Sequence, residues 1–342
     1  ITFHPGKVNN RFSINLFYAF LYFVWHYYLV LRDFNIVYLV AGVLILGIVR
    51  LVAYLVLFNK TVQEKNVISI TLQHWFFIGT NEVIGAVAKW LDKLLLVYFI
   101  TPAEFGIFFN GTFEIPIFGI LISVVGSLLL VEVSANLFNK EKVIQQFQET
   151  FLLLSNFVFP LFWFLFFFSE EIFHVLFNNR YNASIAIFSL TILIIPVRIT
   201  HYSAILQCYN KAHYILKGSL LDIFIAIMLM PLLYYIIGLK GIALAIVIST
   251  YVQSYYYLYH SAKVLQTTVD KLVPFKILVS RFIVFALLLG VFCYLIQDYD
   301  DLFILIYSMI FLSVIILCSL YYYFSKSKLH LNKLSYHTRK EN

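Results

Sequence analysis

Four ionisable residues, Glu82, Lys89, Asp92 and Lys93, fall within a segment, 76–100, that is otherwise apolar enough to cross a bilayer. Charge at the membrane centre costs upward of about 2.5 kcal/mol per group. At 100° per residue on a helix, Lys89 and Lys93 lie within roughly 20° of Glu82, and Asp92 lies beside them. Such a stripe cannot face acyl chains. It predicts a polar cavity inside a helical bundle, where something charged is bound or moved. The plainer alternative is mutual neutralisation, with Glu82 against Lys89 and Asp92 against a neighbouring helix.

Other apolar segments carry single groups of the same kind. Glu114 stands two residues before Pro116 in NGTFEIP. Proline removes a backbone donor and bends a helix, so this pair reads either as a hinge with a cation-coupling carboxylate or as a partner for Lys89 or Lys93. Arg198 follows Pro196 in LIIPVRITHY, and Arg198, His201 and Tyr202 are spaced to share one helical face. They read as a second contact for phosphate or sugar, or as a cation snorkelling to the headgroups. Arg281, five residues into its segment, is expected to snorkel; Arg50 is open between the two roles. Asp222 is expected to match a cation from a neighbouring helix, and His26 a hydrogen-bonded packing role. The run 249–260, with Tyr251, Gln253 and Tyr255 to Tyr257 near the cytoplasmic end, is expected to belong mostly to an aromatic belt; sugar stacking on a tyrosine is the alternative.

The elements that must position these groups follow from composition. Of 342 residues, 62% are hydrophobic and 12% charged, and mean hydropathy is +0.89. That excludes a soluble domain. A span needs about 20 mostly apolar residues. Ten segments qualify: 12–31, 35–58, 76–100, 106–134, 150–168, 184–206, 214–237, 241–261, 276–296 and 302–324. The fold class is therefore all-α, a polytopic membrane bundle. Alternate connections divide the lysines and arginines unevenly. One set holds residues such as Lys60, Lys140, Lys211, Lys217, Lys263, Lys271 and Lys326; the other holds only Arg32, Arg180 and Lys240. By the positive-inside bias the first set and the C-terminus are cytoplasmic. The basic stretch 325–342 is expected to be a cytoplasmic tail resting on anionic lipid, and nucleic acid is not expected as a partner. Cys208, Cys293 and Cys318 show neither disulfide nor metal spacing.

Three stretches together resemble a known family. They are LDKLLLVYFITPAEFGIFFNG (91–111), the loop IFHVLFNNRYNAS (172–184), and QCYNKAHYILKGSLLDIFIAIMLMPLLYYIIGLKGIALAIVIS (207–249). Their order and spacing are similar to those of the second lobe of polysaccharide flippases, of the O-antigen and capsule type, within the multidrug/oligosaccharidyl-lipid/polysaccharide exporter superfamily. The resemblance implies two facing lobes around a central cavity. Residues 1–58 would supply the last two helices of the first lobe, 59–262 the six-helix second lobe, and 263–324 two additional helices. About four helices of the first lobe would then be missing from this chain, as in an N-terminally truncated protein.

The implied function is transport of lipid-linked (undecaprenyl-diphosphate) oligosaccharide across the inner membrane, with no catalysis and no cofactor. Coupling to a proton or sodium ion is left open. Partners implied are membrane lipids, a polysaccharide polymerase and glycosyltransferases. Under this reading Glu82, Lys89, Asp92, Lys93, Glu114, Arg198 and His201 line the transport cavity, and the lysines hold the diphosphate. Two alternatives stand beside it. A multidrug or cation antiporter of the same superfamily needs an acidic cavity, yet five basic groups against four acids lie inside the spans. A membrane-embedded polymerase or glycosyltransferase needs a larger outer loop than 169–183.

Overall fold

A computed structural model describes residues 5–32, 34–59, 100–113, 115–177 and 181–338, together with positions 76, 78–81, 83, 84, 90, 93 and 96. Every regular element among the described residues is helical. The chain divides into two compact units, Ile1–Leu72 and Gln73–Asn342.

The first unit is a hairpin of α1 (Pro5–Leu31) and α2 (Ile36–Asn59). Asn35 opens α2 by accepting a hydrogen bond from the Val37 amide at 3.1 Å. His26 stacks on Tyr22 at 4.0 Å, with its ring nitrogens against the carbonyls of Tyr22 (2.7 Å) and Leu39 (3.3 Å). That is the packing role expected of it. Arg50 does not reach for the headgroups alone. Its Nη2 donates to Asn15 at 3.0 Å and its guanidinium covers the Tyr18 ring at 4.9 Å, the arrangement that makes a cation tolerable on an apolar helix.

The second unit begins with helical residues between 76 and 96. It continues through α3 (Pro102–Gly111), α4 (Pro116–Ala135), α5 (Lys140–Phe167), α6 (Ser169–Phe177), α7 (Asn182–Thr191), a 3₁₀ turn (Ile192–Ile194) and α8 (Ala204–Cys208). The long hairpin α9 (Ala212–Ile237) and α10 (Leu239–Leu265) comes next, then the short α11 (Val269–Leu272), α12 (Phe275–Ile296) and α13 (Asp301–Thr338). Among the described residues six helices are long and apolar enough to cross a membrane: α4, α5, α9, α10, α12 and α13. Shorter apolar helices lie at Asn15–Leu31, Val37–Ala53 and Asn182–Ile194.

Helix α5 is the scaffold. Two thirds of its most apolar window is buried, against 11% in α9 and 17% in α4 and α12. Helices α4, α9, α12 and α13 turn most of their apolar side chains outward, as spans in lipid do, and α5 packs in the core through Val143, Phe147, Phe151, Leu154, Val158 and Phe162. Pro160 lies inside α5 and Pro231 inside α9 without ending either helix. Arg281 of α12 does not snorkel. Its Nη1 donates to the Leu152 carbonyl at 2.5 Å and to Ser155 Oγ at 2.6 Å. Nearby, Trp163 bonds the Phe282 carbonyl (2.9 Å) and Ser319 bonds Asn156 (2.6 Å). A buried cation is stable only with such partners, so α5, α12 and α13 are joined by a polar seam inside an apolar contact. Within the stretch expected as a basic cytoplasmic tail, α13 continues as helix to Thr338.

The α9–α10 turn is made by Gly238, whose φ of +65° suits a residue without Cβ. At the end of the unit where α5 and α10 meet, Lys140 bonds Gln266 at 2.7 Å and Gln148 bonds the Lys271 carbonyl at 2.7 Å. At the opposite end His174 of α6 pairs with Asp301 of α13 at 3.1 Å. Beside that pair, Glu171 keeps Oε2 shielded with no hydrogen-bond partner. Burial pushes its carboxyl above the usual carboxylate range, and the charges of Asp301 and Glu170 add to the rise. A raised acid keeps its proton to a higher pH in the folded state than in the unfolded one. Its contribution to stability is therefore complete below the ordinary carboxylate range and is lost as pH rises through the raised value. Glu171→Gln removes that loss. Its melting temperature in detergent should match the native protein at about pH 4 and exceed it at about pH 8; a constant difference across this range would contradict the assignment.

Candidate functional site

Two segments that read as continuous spans are interrupted. In the segment 106–134, α3 ends at Gly111 and Pro116 is the first residue of α4 rather than a bend within one helix. Proline at the first helical position loses no hydrogen bond, because that amide has no intrahelical partner anyway. Thr112 closes α3 by donating its hydroxyl to the Phe108 carbonyl at 3.1 Å. The segment 184–206 is helical to Ile194, irregular across 195–203 and helical again for one turn in α8. It still traverses the unit. Ser184 bonds the Ile107 carbonyl of α3 at 2.7 Å, and Tyr209 bonds the Leu137 carbonyl beyond α4 at 2.6 Å.

The two interrupted helices lie against each other. A Cβ on Gly111 would come within 2.7 Å of Ile187 Cβ of α7, and one on Gly126 of α4 within 3.0 Å of the His201 side chain. Both contacts exist because glycine leaves the space.

Non-helical backbone at membrane depth survives only where protein or water covers its polar groups. Here tyrosines cover it. The Tyr202 hydroxyl donates to the Val197 carbonyl, and the Tyr251 hydroxyl of α10 donates to the Leu193 carbonyl at 3.0 Å. His201 Nε2 meets Ser203 Oγ at 3.1 Å. Thr200 Oγ1 is buried without a partner. Arg198, His201 and Tyr202 therefore share no helical face, since the helix that would carry it is absent. Arg198 is exposed at the break, His201 packs on α4 and Tyr202 folds back onto the break itself.

Arg198 acts on Asp222 of α9, whose carboxylate is also within hydrogen-bonding reach of the Ser249 hydroxyl on α10. This is the neighbouring cation expected for Asp222. One turn earlier on α9, Ser219 bonds Asn81 at 2.6 Å and meets the Tyr257 hydroxyl at 3.1 Å, which also donates to the Ile215 carbonyl at 2.9 Å. Gln253 reaches the Gly218 carbonyl at 3.4 Å. Polar side chains from the 76–96 segment, α9 and α10 thus meet at Ser219, one turn from the Asp222 on which Arg198 of the break acts. Asn81, Ser219 and Ser249 were not among the residues singled out from sequence, and Tyr257 was read there only as part of an aromatic run. Their signal was the spacing Ser249, Gln253, Tyr257 on α10, every fourth residue, facing Ser219 and Asp222 on α9. Tyr257 is buried in this contact and is not part of an aromatic belt; Tyr255 and Tyr259, on the other side of α10, are exposed.

Lys93 stands at another element. Its Nζ lies 5.6 Å from the Trp90 ring centroid and 6.0 Å from that of Phe109 on α3. It is therefore beside the first interrupted helix, as Arg198 is on the second. Glu82, Lys89, Asp92 and Glu114 lie outside the described residues. No group of three or more His, Cys, Asp or Glu side chains among the described residues is arranged to hold a metal ion.

The chain is thus a multi-pass helical membrane protein with two interrupted helices packed on one another. Its fold matches that of a solved structure described as the lipid II flippase MurJ in an inward closed conformation. The TM-score is 0.61 at 15% identity, over 92% of this chain and 66% of that one. This chain accordingly spans just under two thirds of that protein's length. No family model matches the sequence, and no curated protein matches it.

Two substitutions test the local account. Tyr202→Phe leaves the Val197 carbonyl without its donor, and should cost about 1–3 kcal/mol in unfolding free energy measured in micelles. Gly126→Leu drives His201 from α4 and should cost a similar amount, about 1–3 kcal/mol, through overpacking. Native stability in the second variant would mean that the break does not seat on α4.

Proposed function

We propose that this protein moves a lipid-linked oligosaccharide, carried on a polyprenyl diphosphate, from one leaflet of the cytoplasmic membrane to the other for the assembly of surface polysaccharide. The observation that carries this reading is the pair of interrupted helices with a cation beside each, Lys93 at α3 and Arg198 between α7 and α8. Irregular backbone lining a membrane interior is where transporters bind their cargo. A guanidinium and an ammonium suit a diphosphate, one as a fork and one as a point charge. The likeness of fold to a protein described as a lipid II flippase supports the same direction, as does the motif resemblance at 91–111, 172–184 and 207–249.

In this reading Arg198 holds the diphosphate, and Asp222 holds Arg198 when the cargo is absent. The cargo competes with the carboxylate, so binding and release shift the break between two sets of contacts. Lys89 and Lys93 form the second hold. Glu82, Asp92 and Glu114 balance the charge of the empty cavity, and His201 anchors the break to α4. No step breaks a covalent bond, so the protein acts as a carrier rather than an enzyme. The C-terminus faces the cytoplasm, where the lysine-rich end of the helices meets anionic lipid.

Reconstitution tests this. Proteoliposomes carrying a fluorescent polyprenyl-diphosphate oligosaccharide should transfer it across the bilayer, read by a membrane-impermeant quencher. Lys93→Ala and Arg198→Ala should each slow transfer about tenfold or more, the loss expected for one charge-assisted contact. Transfer at the native rate in both variants would sink the assignment. Efflux of a lipophilic cation by the native protein, with no transfer of the labelled lipid, would instead favour a cation antiporter.

A further inference from the structure

At the lysine-rich end of the second unit, four rings of α9 and α10 form a column. His213 lies 4.1 Å from Tyr214, Tyr214 stacks on His260 at 4.1 Å with 22° between planes, and His260 lies 4.4 Å from Tyr256. Three lysines surround it. Lys211 and Lys217 act on His213, while Lys263, Lys217 and His213 act on His260. All the charged groups acting on the two rings are basic, and all three lysines are exposed. From Ala204 to Leu265 the only acid in the sequence is Asp222, which is engaged with Arg198 and Ser249. Among the described residues, then, five basic side chains converge with no carboxylate to neutralise them.

The His260 ring has one nitrogen, Nδ1, shielded from solvent and without a partner. A neutral ring in that position keeps its proton on Nε2, which can then donate outward to an acceptor. Immediately beyond the column the exposed flanks of both helices are apolar or aromatic, with Leu220, Phe224, Tyr255 and Tyr259 turned outward. A ligand seated here meets positive charge at one end and a hydrocarbon-facing surface along its length.

We propose that the His213–Tyr214–His260–Tyr256 column, with Lys211, Lys217 and Lys263, binds the phosphate of an anionic phospholipid headgroup while the acyl chains lie along the exposed flanks of α9 and α10. The phosphate oxygens accept from His260 Nε2 and the lysine ammonium groups; the tyrosine rings carry the glycerol edge. Basic clusters between membrane helices recognise headgroups in this way. A soluble phosphate has the same oxygens but gains nothing from the apolar flanks, which is why the lipid is the assigned ligand. The site stands apart from the Arg198 and Lys93 constellation, so it holds whether or not the chain moves lipid-linked sugar.

Native mass spectrometry of the full chain in neutral detergent, with phosphatidylglycerol or phosphatidylcholine added, tests the proposal. The native protein should retain phosphatidylglycerol in preference. The double variant Lys217→Gln/Lys263→Gln should retain about tenfold less, and Lys217→Arg/Lys263→Arg should restore retention. Lys240→Gln, at the opposite end of α10, should change nothing. The melting temperature of each variant in detergent reports folding, and His260→Gln gives a second test should the lysine pair unfold. Equal retention of the two lipids, or unchanged retention in the folded lysine or histidine variants, overturns the site. Displacement of phosphatidylglycerol by micromolar inorganic pyrophosphate overturns its assignment to a lipid.

Discussion

The structure depends on a single constraint: inside a bilayer every backbone amide and carbonyl must find its partner within the protein. Most of the chain meets it with uninterrupted helices. The two places that do not, the end of α3 at Gly111 and the stretch 195–203, are covered by specific side chains. Thr112 closes the end of α3, and Tyr202 and Tyr251 take up the Val197 and Leu193 carbonyls. Neither break could face lipid. Each lies against the other interrupted helix, α3 beside α7 and α4 beside the His201 turn. The glycines at 111 and 126 are what let these irregular surfaces come close enough to cover one another.

The rest of the second unit supports that arrangement. Helix α5 is apolar and enclosed, with a phenylalanine-rich face packed on α4, α12 and α13. Where a cation enters this packing, as Arg281 does, it meets the Leu152 carbonyl and the Ser155 hydroxyl within 2.6 Å. The α9–α10 pair is different in kind. Its buried residues include a small and polar set, Gly218, Ser219, Ser249 and Ser254, beside apolar ones such as Met230 and Ile242. Small residues let backbones approach and polar ones bond across them. A rigid aromatic side and a polar, closely packed side thus flank the break that carries Arg198. Arg198, on that break, acts electrostatically on the Asp222 carboxylate of α9.

The all-helical, membrane-spanning character was legible from hydropathy alone, because a run of twenty apolar residues has no other stable environment. Nine of the ten expected segments map onto helical elements, and in the tenth, 76–100, the described residues between 76 and 96 are helical. The positions that reasoning from hydropathy misjudged share a cause. Segments 106–134 and 184–206 are as apolar as their neighbours, so composition could not reveal that their helices stop. Pro116 and Pro196 marked the places, yet proline also sits inside the unbroken α5 and α9 at Pro160 and Pro231. Whether a proline bends or ends a helix depends on what its surroundings offer the freed carbonyls.

The sequence by itself determined the solvent, the number of apolar segments, the uneven division of lysine between alternate connections and the presence of charged residues within apolar segments. Each is a sum over local composition, and needs no partner to be known. Tertiary structure alone decided which polar groups meet. It set Arg198 beside Asp222, turned Tyr257 inward while Tyr255 and Tyr259 stayed out, and gave Arg281 a carbonyl instead of a headgroup. Those outcomes depend on helices far apart in the chain, and the energy of a buried charge is fixed by whichever neighbour the packing brings within about 3 Å.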